Sequence, residues 1–448
     1  MTKEIQQETI RGIALRAKAL GGRAMLVGGC VRDALTGRGS ADIDCEVYGL
    51  APQALRSLAA EFGEVDESGA RYGIFSLKGA GIDLAVPRLE RRTGPKHGDF
   101  DVRLDPALPF ARAAARRDFT VNAILRDALT GEIVDPFGGQ ADLRRGVLRA
   151  VPGDGFAEDP LRVLRGAQFA ARFRLSPDAK TLEKMRTMKT DALSRARVLG
   201  EMKKAMASDA PDVFFDVLRR ADALRPWFGE LAALIGVPQP PRYHPEGDAY
   251  THSMLVLHAA AQKKARALRP EAFVFAALTH DLGKAVSTAR GEDGEWHACG
   301  HENTGVPLTR AMLGRLGVNR EIIAYCENMC RLHMRAPVCH YRQAETGETN
   351  LLFDESVCPN DLALLAVCDT MGKGSASGGA AGEAAFLTGR VRVYEETAAR
   401  GLPDGGMLLA AGMEPGPQLA EALAAARRRA LTGETAEEAV QNVLRKRQ

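Results

Sequence analysis

The chain has 448 residues, 45% of them hydrophobic; at roughly 150 residues per domain this suggests two to four domains with real cores, and it excludes a disordered chain. Its 60 basic and 57 acidic residues leave a net charge of +3, which excludes a strongly basic nucleic-acid binder as a whole but leaves local patches open. No apolar run reaches the roughly 18 to 20 residues of a membrane span, no secretory core segment opens the N-terminus, and the cysteines include no CxxC pair, so a multidomain cytoplasmic protein is expected. In chain order, 23–27 and 41–47 read as strands, the first ending in Gly28-Gly29. Residues 52–62 have the apolar spacing of an amphipathic helix, and 73–77 with 81–86 read as a hairpin.

After Pro136-Phe137-Gly138-Gly139 the pattern turns helical, over 158–173, 178–188, 195–207 and 211–222. Pro238 to Pro241 punctuates the chain. Beyond it lie eight of the nine histidines, between His244 and His340, on helical segments interrupted by a polar loop at 287–300 and a Gly/Ser/Ala-rich loop at 372–382. An Ala- and Arg-rich helical tail runs from about 385. The fold class expected is α+β: a mixed α/β head over 1–140, a helical neck and body over 141–240, a His-rich helical domain over 241–384 and a helical tail over 385–448.

The head carries its chemistry in acids. Asp42 and Asp44 are two residues apart in a strand, so both side chains share one face while Ile43 and Cys45 take the other. Like charges side by side call for a divalent cation, and oxygen-only ligands suit Mg²⁺ held together with substrate phosphates. Asp83 on a neighbouring strand is placed to complete the set. Gly28 and Gly29 let backbone amides approach a triphosphate, and Arg32 can neutralise phosphate directly. Asp118 is spaced to cap a helix. On a helix, Asp159, Arg162 and Arg165 share one face, the pattern of an ordinary helical salt bridge. The stretch 88–117 holds eight basic and four acidic residues, a local excess suited to RNA phosphates.

Four segments in order, LVGGCVRDALTGRGSADIDCEVYG (26–49), RRDFTVNAI (116–124), DPFGGQADLRRGVLRAV (135–151) and EDPLRVLRGAQFAARF (158–173), resemble the class II tRNA nucleotidyltransferase and bacterial poly(A) polymerase family. The resemblance implies a polymerase beta-like nucleotidyltransferase head in which Asp42 and Asp44 hold catalytic Mg²⁺, with Asp83 as a further catalytic carboxylate. It implies that Gly28, Gly29 and Arg32 cradle the triphosphate, that Arg117, Asp118 and Asn122 contact ribose and phosphate, and that Asp159, Arg162 and Arg165 read the base of CTP or ATP.

A second set stands in the order His252, His280-Asp281, His301, His333, Asp369, which resembles the HD metal-dependent phosphohydrolase superfamily. Imidazole with carboxylate suits Ni²⁺, Mn²⁺ or Zn²⁺, and Mg²⁺ less tightly. His252, His280, Asp281 and Asp369 are the expected ligands, with His301 and His333 as further ones. Lys284 is placed to face phosphate. Core positions are the default for His258, His297 and His340, and Cys299, Cys326 and Cys330 read as core or surface thiols because their spacing is poor for a tetrahedral site. Met334 departs from the acidic residue that often follows the histidine at the His333 position, which weakens the expectation of hydrolase activity. Taken together, the resemblances imply template-independent addition of CCA to the 3′ end of tRNA from CTP and ATP, with 2′,3′-cyclic phosphodiesterase or 2′-phosphatase action in the HD domain. The alternatives are a CC-adding enzyme, a poly(A) polymerase, or an HD phosphohydrolase with a non-catalytic RNA-binding head.

Overall fold

The computed structural model describes residues 2–40, 42–92, 100–373 and 377–446, so 93–99 of the basic stretch and 374–376 of the expected loop lie outside the described residues. The head is built on nine strands: β1 Arg23–Val27, β2 Ile43–Tyr48, β3 Val65–Asp66, β4 Ile74–Leu77, β5 Ile82–Ala85, β6 Arg88–Arg92, β7 Phe100–Leu104, β8 Leu125–Asp127 and β9 Ile133–Val134. Seven of them form one sheet in the order β3-β4-β5-β2-β1-β8-β9, and β6 pairs with β7 as a separate hairpin. Within the seven-stranded sheet β2 and β5 run parallel and every other pair is antiparallel.

Alternation along β2 decides where the head's core lies. Cys45 and Val47 turn to one face and pack with Ile10, Ile13 and Ala17 of the helix Lys3–Ala19 and with Leu55 and Leu58 of the helix Pro52–Ala60. Tyr48 turns to the other face with Met25, Val27, Leu108 and Leu125. The first face is sealed by helices, and the second keeps its acids accessible at the start of β2.

The chain divides into two units, one of Met1–Ser194 with Asp216–Ala223, the other of Arg195–Phe215 with Leu224–Gln448. The second is helical apart from a small hairpin, Ala289–Arg290 paired with Trp296–His297, inside the expected 287–300 loop. Its helix Pro270–Thr279 is apolar almost all round and is buried from Ala272 to Thr279, as a central helix must be. The expected loop at 372–382 is corrected in part: a helix runs from Ser377 to Ala399, because Ala and Glu follow the glycines and sustain it. Among the described residues no helix is long and apolar enough to cross a membrane.

Candidate active sites

Asp42 immediately precedes β2 and Asp44 is its second residue; both are exposed, as is Asp83. The parallel register sets Asp44 opposite Asp83, so three carboxylates gather at the starts of two central strands. Partial burial is the largest push on the Asp44 carboxyl; Arg117 opposes it, while Asp83 and Asp42 add to it, and the net displacement is upward. A divalent cation would relieve that repulsion, and an all-oxygen donor set fits a hard ion. Val27 pairs with Asp44, which brings the end of β1 beside the acids. There the chain turns through Gly28 at φ +74°, where a Cβ would stand 2.9 Å from Arg117 Nη1 and 3.5 Å from Asp44 Oδ2. Only glycine leaves that space open.

Arg117 is aimed by a residue that sequence reasoning missed. Glu46 is 2% exposed, and its Oε1 accepts from Arg116 Nη2 at 2.7 Å and Arg117 Nη2 at 3.1 Å, while the Tyr48 hydroxyl donates to Oε2 at 2.9 Å. Burial pushes this carboxyl up, but the two guanidinium groups and their hydrogen bonds outweigh it and hold it at about 2. The signal was available: Glu46 is four residues beyond Asp42, on the same face of the strand.

The Arg32 side chain, expected to neutralise phosphate directly, turns inward to acceptors of the protein itself. Its guanidinium is buried, with Nε and Nη2 on Asp33 Oδ1 at 2.9 and 2.7 Å, Nη1 on Asn122 Oδ1 at 2.7 Å, and the Phe173 ring centroid 4.0 Å away. Asn122 donates in turn to Asp118 Oδ1 at 2.9 Å, and Asp118 Oδ2 accepts from Arg165 Nε at 2.7 Å. Asp118 caps no helix. A short 3₁₀ turn follows at Thr120–Asn122 with Phe119 at its cap position, and Asp118 Oδ1 accepts from the Phe119 amide. Arg32, Asp118, Asn122 and the partly exposed Arg165 thus form one polar network joining three of the motif segments.

The helix of the last motif segment, Leu161–Phe173, starts at Leu161, so Asp159 precedes it instead of sharing its face, and Asp159 Oδ1 accepts from the Leu161 amide at 3.1 Å. Arg162 donates to the Gly155 and Arg116 carbonyls, each at 2.7 Å. Asp159 and Arg162 line a 480 Å³ cleft together with Arg112, Arg116 and the hairpin residues Leu89 and Val102; Arg165 lies outside its lining.

The helical unit assembles a second site from the ends and interiors of five helices: His252 in Ala249–Lys263, His280-Asp281 just past Pro270–Thr279, His301 opening His301–Leu316, His333 just past Arg320–Leu332, and Asp369 in Pro359–Gly372. All six are buried. His252 Nε2 lies 2.8 Å from Asp369 Oδ1, and His280 Nε2 lies 3.2 Å from Asp281 Oδ2. On the other oxygen, Asp281 Oδ1 faces His301 Nε2 at 3.1 Å and His333 Nε2 at 3.4 Å. Two donor groups result, His252–His280–Asp369 and Asp281–His301–His333. The Nδ1 atoms of His280, His301 and His333 sit 2.9, 2.7 and 2.7 Å from the carbonyls of Ala277, Ala298 and Cys330, which assigns the proton to Nδ1 and leaves Nε2 with its lone pair inward. His252 Nδ1 is held instead by Glu246 Oε1 at 2.8 Å, which His244 Nδ1 shares at 2.8 Å.

The donor set fits a metal on physical grounds. Among the described residues, His280 Nε2 and both oxygens of Asp281 are buried without an aligned hydrogen bond, a costly condition that a cation removes. Burial pushes the Asp281 carboxyl up, but His280 and Lys284 hold it well below the carboxylate range; for Asp369, Lys373 and His252 do the same. Lys284 Nζ stands 2.7 Å from Asp281 Oδ2 and Lys373 Nζ 3.1 Å from Asp369 Oδ2, so each acid has a lysine at its outer side. Above them opens a 370 Å³ cavity lined by His244, Lys284, Trp296, Cys299, Met334 and Lys373. Glu246, His244 and Lys373 were missed, although HPEGDAYTHS places an acid six residues before His252. The core assignment of His258 and His297 is also corrected: both are exposed, with ring nitrogens on Asp212 and Asp293. Cys326 and Cys330 are buried thiols and Cys299 an exposed one.

Residues 24–149 match the poly A polymerase head domain and residues 249–369 the HD domain. A multifunctional CCA protein of Nitrosococcus oceani is 41% identical over 314 residues, 69% of this chain and 73% of that protein. One from Xanthomonas campestris pv. campestris is 37% identical over 421 residues, 90% and 96% of the two chains. Among solved structures, a CCA-adding enzyme with CTP aligns over 100% of this chain and 94% of that one, with a TM-score of 0.65 at 17% identity. The Thermotoga maritima CCA-adding enzyme complexed with tRNA_CCA aligns over 100% and 97%, with a TM-score of 0.62 at 18% identity. At such identities the structures speak for the fold.

Proposed function

The chain belongs to the family of multifunctional CCA proteins, and on that premise we propose that it adds CCA to the 3′ end of tRNA from CTP and ATP without a template, and that its HD region hydrolyses phosphate esters. In this reading the 3′-terminal hydroxyl oxygen of the tRNA attacks the α-phosphorus of the incoming nucleotide and pyrophosphate leaves. Asp42 and Asp44, with Asp83 beside them, would hold Mg²⁺, which when bound would supply positive charge to the attacking and leaving oxygens. Gly28 and Gly29 keep the backbone close to the triphosphate, and Arg117, aimed by Glu46, brings positive charge to it. Asp159 and Arg162 present an acceptor and a donor at one cleft wall, the pair needed to read the edge of C or A. Arg32, Asp118, Asn122 and Arg165 act as positioning residues that fix this cleft relative to β1 and β2. Residues 1–140 thus catalyse transfer, 141–240 read base and RNA, 241–384 hydrolyse and 385–448 form the tail. The protein works in the cytoplasm, with tRNA.

In the HD region His252, His280 and Asp369, and Asp281 with His301 and His333, hold divalent metal, with Ni²⁺ or Mn²⁺ preferred over Mg²⁺ because imidazole dominates the donors. A metal there would supply Lewis-acid activation of water or phosphate. Lys284 and Lys373 orient the phosphate, and Glu246 fixes the His252 ring.

The observation that carries the transferase reading is the register Asp44–Asp83 with Asp42, Gly28 and Arg117 gathered at the same end of these central strands. The deciding experiment supplies tRNA ending before CCA with labelled CTP and then ATP, and reads the 3′ end. Two C residues followed by one A are expected. Long tails from ATP alone would make it a poly(A) polymerase, and a stop after two C residues a CC-adding enzyme. Asp42→Ala is expected to abolish incorporation, and unchanged incorporation would defeat the proposed mechanism. His280→Ala is expected to remove hydrolysis of 2′,3′-cyclic phosphates and to spare CCA synthesis.

A further inference from the structure

The lining of the cavity at Asp281 and Asp369 combines two chemistries. Lys284 and Lys373 supply one, each ammonium group beside a ligand carboxylate. Trp296, His297 and Cys299 supply the other, from the hairpin and the segment that leads to His301. The hairpin is short and its tip polar: Glu292, Asp293, Gly294 and Glu295 are all exposed. Trp296 is the one large apolar side chain in this segment, and it is half-buried on the cavity wall. Its position is fixed by the pairings Ala289↔His297 and Arg290↔Trp296, and the turn is tied by His297 Nε2 on Asp293 Oδ2 at 2.8 Å.

Metal ligands and two lysines suffice to bind a phosphate, but they do not distinguish one phosphate ester from another. An indole in the same lining does. Aromatic faces stack on any nucleobase and add about 1–3 kcal/mol per base with little regard to sequence. A cavity of 370 Å³ is within the range of small-ligand sites.

We propose that Trp296 determines the specificity of this cavity by stacking on the base of a nucleoside phosphate whose phosphate meets Lys284 and Lys373. The proposal rests on the hydrolase reading of the HD region and adds to it a preference for substrates that carry a base. Base identity is read weakly, and presence of a base strongly.

The test uses the fact that the chain has two tryptophans, Trp227 and Trp296. In the full-length Trp227→Phe protein all indole fluorescence comes from Trp296, and the head contributes none. Adenosine 2′-monophosphate is expected to quench this emission saturably, whereas ribose 5-phosphate, which lacks a base, binds about tenfold more weakly and quenches little. Hydrolysis by the metal-loaded enzyme gives the second readout. Trp296→Ala is expected to raise the KM for adenosine 2′-monophosphate about tenfold while changing the KM for glycerol 2-phosphate less than twofold, and Trp296→Phe recovers most of the loss. Equal quenching by both ligands, no quenching by either, or an equal rise in both KM values would overturn the proposal and make Trp296 a packing residue of the hairpin. Selective quenching without hydrolysis of any ester would uphold the base contact and overturn the hydrolase reading instead.

Discussion

Glu46→Gln separates the support of the head site from its acids. The side chain of Glu46 is 2% exposed, and those of Arg116 and Arg117, which share its Oε1, are 20% and 16% exposed. Removing one charge from a buried pair costs about 3–5 kcal/mol, because the partner stays behind uncompensated. Here the guanidinium groups keep some contact with water, and glutamine still accepts one hydrogen bond, so the low end applies, about 3 kcal/mol. In a unit of this size that lowers the melting temperature by about 6–12 °C. Differential scanning calorimetry of the full chain reads it as a downward shift of one transition, with the transition of the helical unit unchanged. Freed from Glu46, Arg117 loses its place beside Gly28, and the KM for CTP is expected to rise about tenfold, the effect of one lost charge-assisted hydrogen bond. A head transition within 1 °C of the parent and an unchanged KM would refute the argument that Glu46 aims Arg117.

The Asp118 and Asp142 carboxyls are both held below their ordinary values: burial works against the charge, but Arg165 and Asn122 for the one, Thr120 and Arg149 for the other, outweigh it. A folded-state value below the unfolded value of about 3.9 means stability that is present above that pH and lost as the pH falls through the folded values. The urea midpoint of the head is expected to drop between about pH 4 and pH 3, and Asp118→Asn to flatten the drop; a midpoint equal at pH 7 and pH 3 would contradict this. Gly28→Ala places a methyl group 2.9 Å from Arg117 Nη1 in a left-handed conformation; a several-fold higher KM for CTP and about 1–2 kcal/mol of lost stability are expected, measured by steady-state incorporation and urea unfolding. Gly283→Ala puts a Cβ 2.0 Å from the His301 carbonyl oxygen and 2.6 Å from the Gly305 nitrogen, so backbone must move. Ester hydrolysis is expected to fall more than tenfold with about 1–3 kcal/mol of destabilisation, while CCA addition stays at parental rate.

The residues proposed to touch reacting groups were legible in the sequence because their spacing follows the local period. Asp42 and Asp44 share a strand face by alternation, and the histidines end or open helices whose apolar pattern is plain. What escaped was set by tertiary contact. Asp83 is placed on a neighbouring strand by the sequence, but its register opposite Asp44, 39 positions away, comes only from the β2–β5 pairing. Arg32 reads as a phosphate ligand from its motif, but the rings of Phe169 and Phe173 and the amide of Asn122 draw it inward. Asp159 fails to share a helix face with Arg162 because Pro160 favours the first turn of a helix and sets its start at Leu161. Glu246 and Lys373 lie only six and four residues from their partners, His252 and Asp369, but what they support is the contact between those two, which are 117 positions apart.

The parallel pairing of β2 with β5 also fixes when the head site can exist. Antiparallel neighbours joined by tight turns form locally, but a parallel pair needs the chain to cross over, here through Gly49–Gly81. Asp44 and Asp83 therefore meet only after that long loop has closed, a slow and non-local event in folding. A nascent head that has released β2 but not β5 from the ribosome carries two acids without their third, with no composed cage for a cation. Competence of the head thus waits on that crossover and not on any local turn.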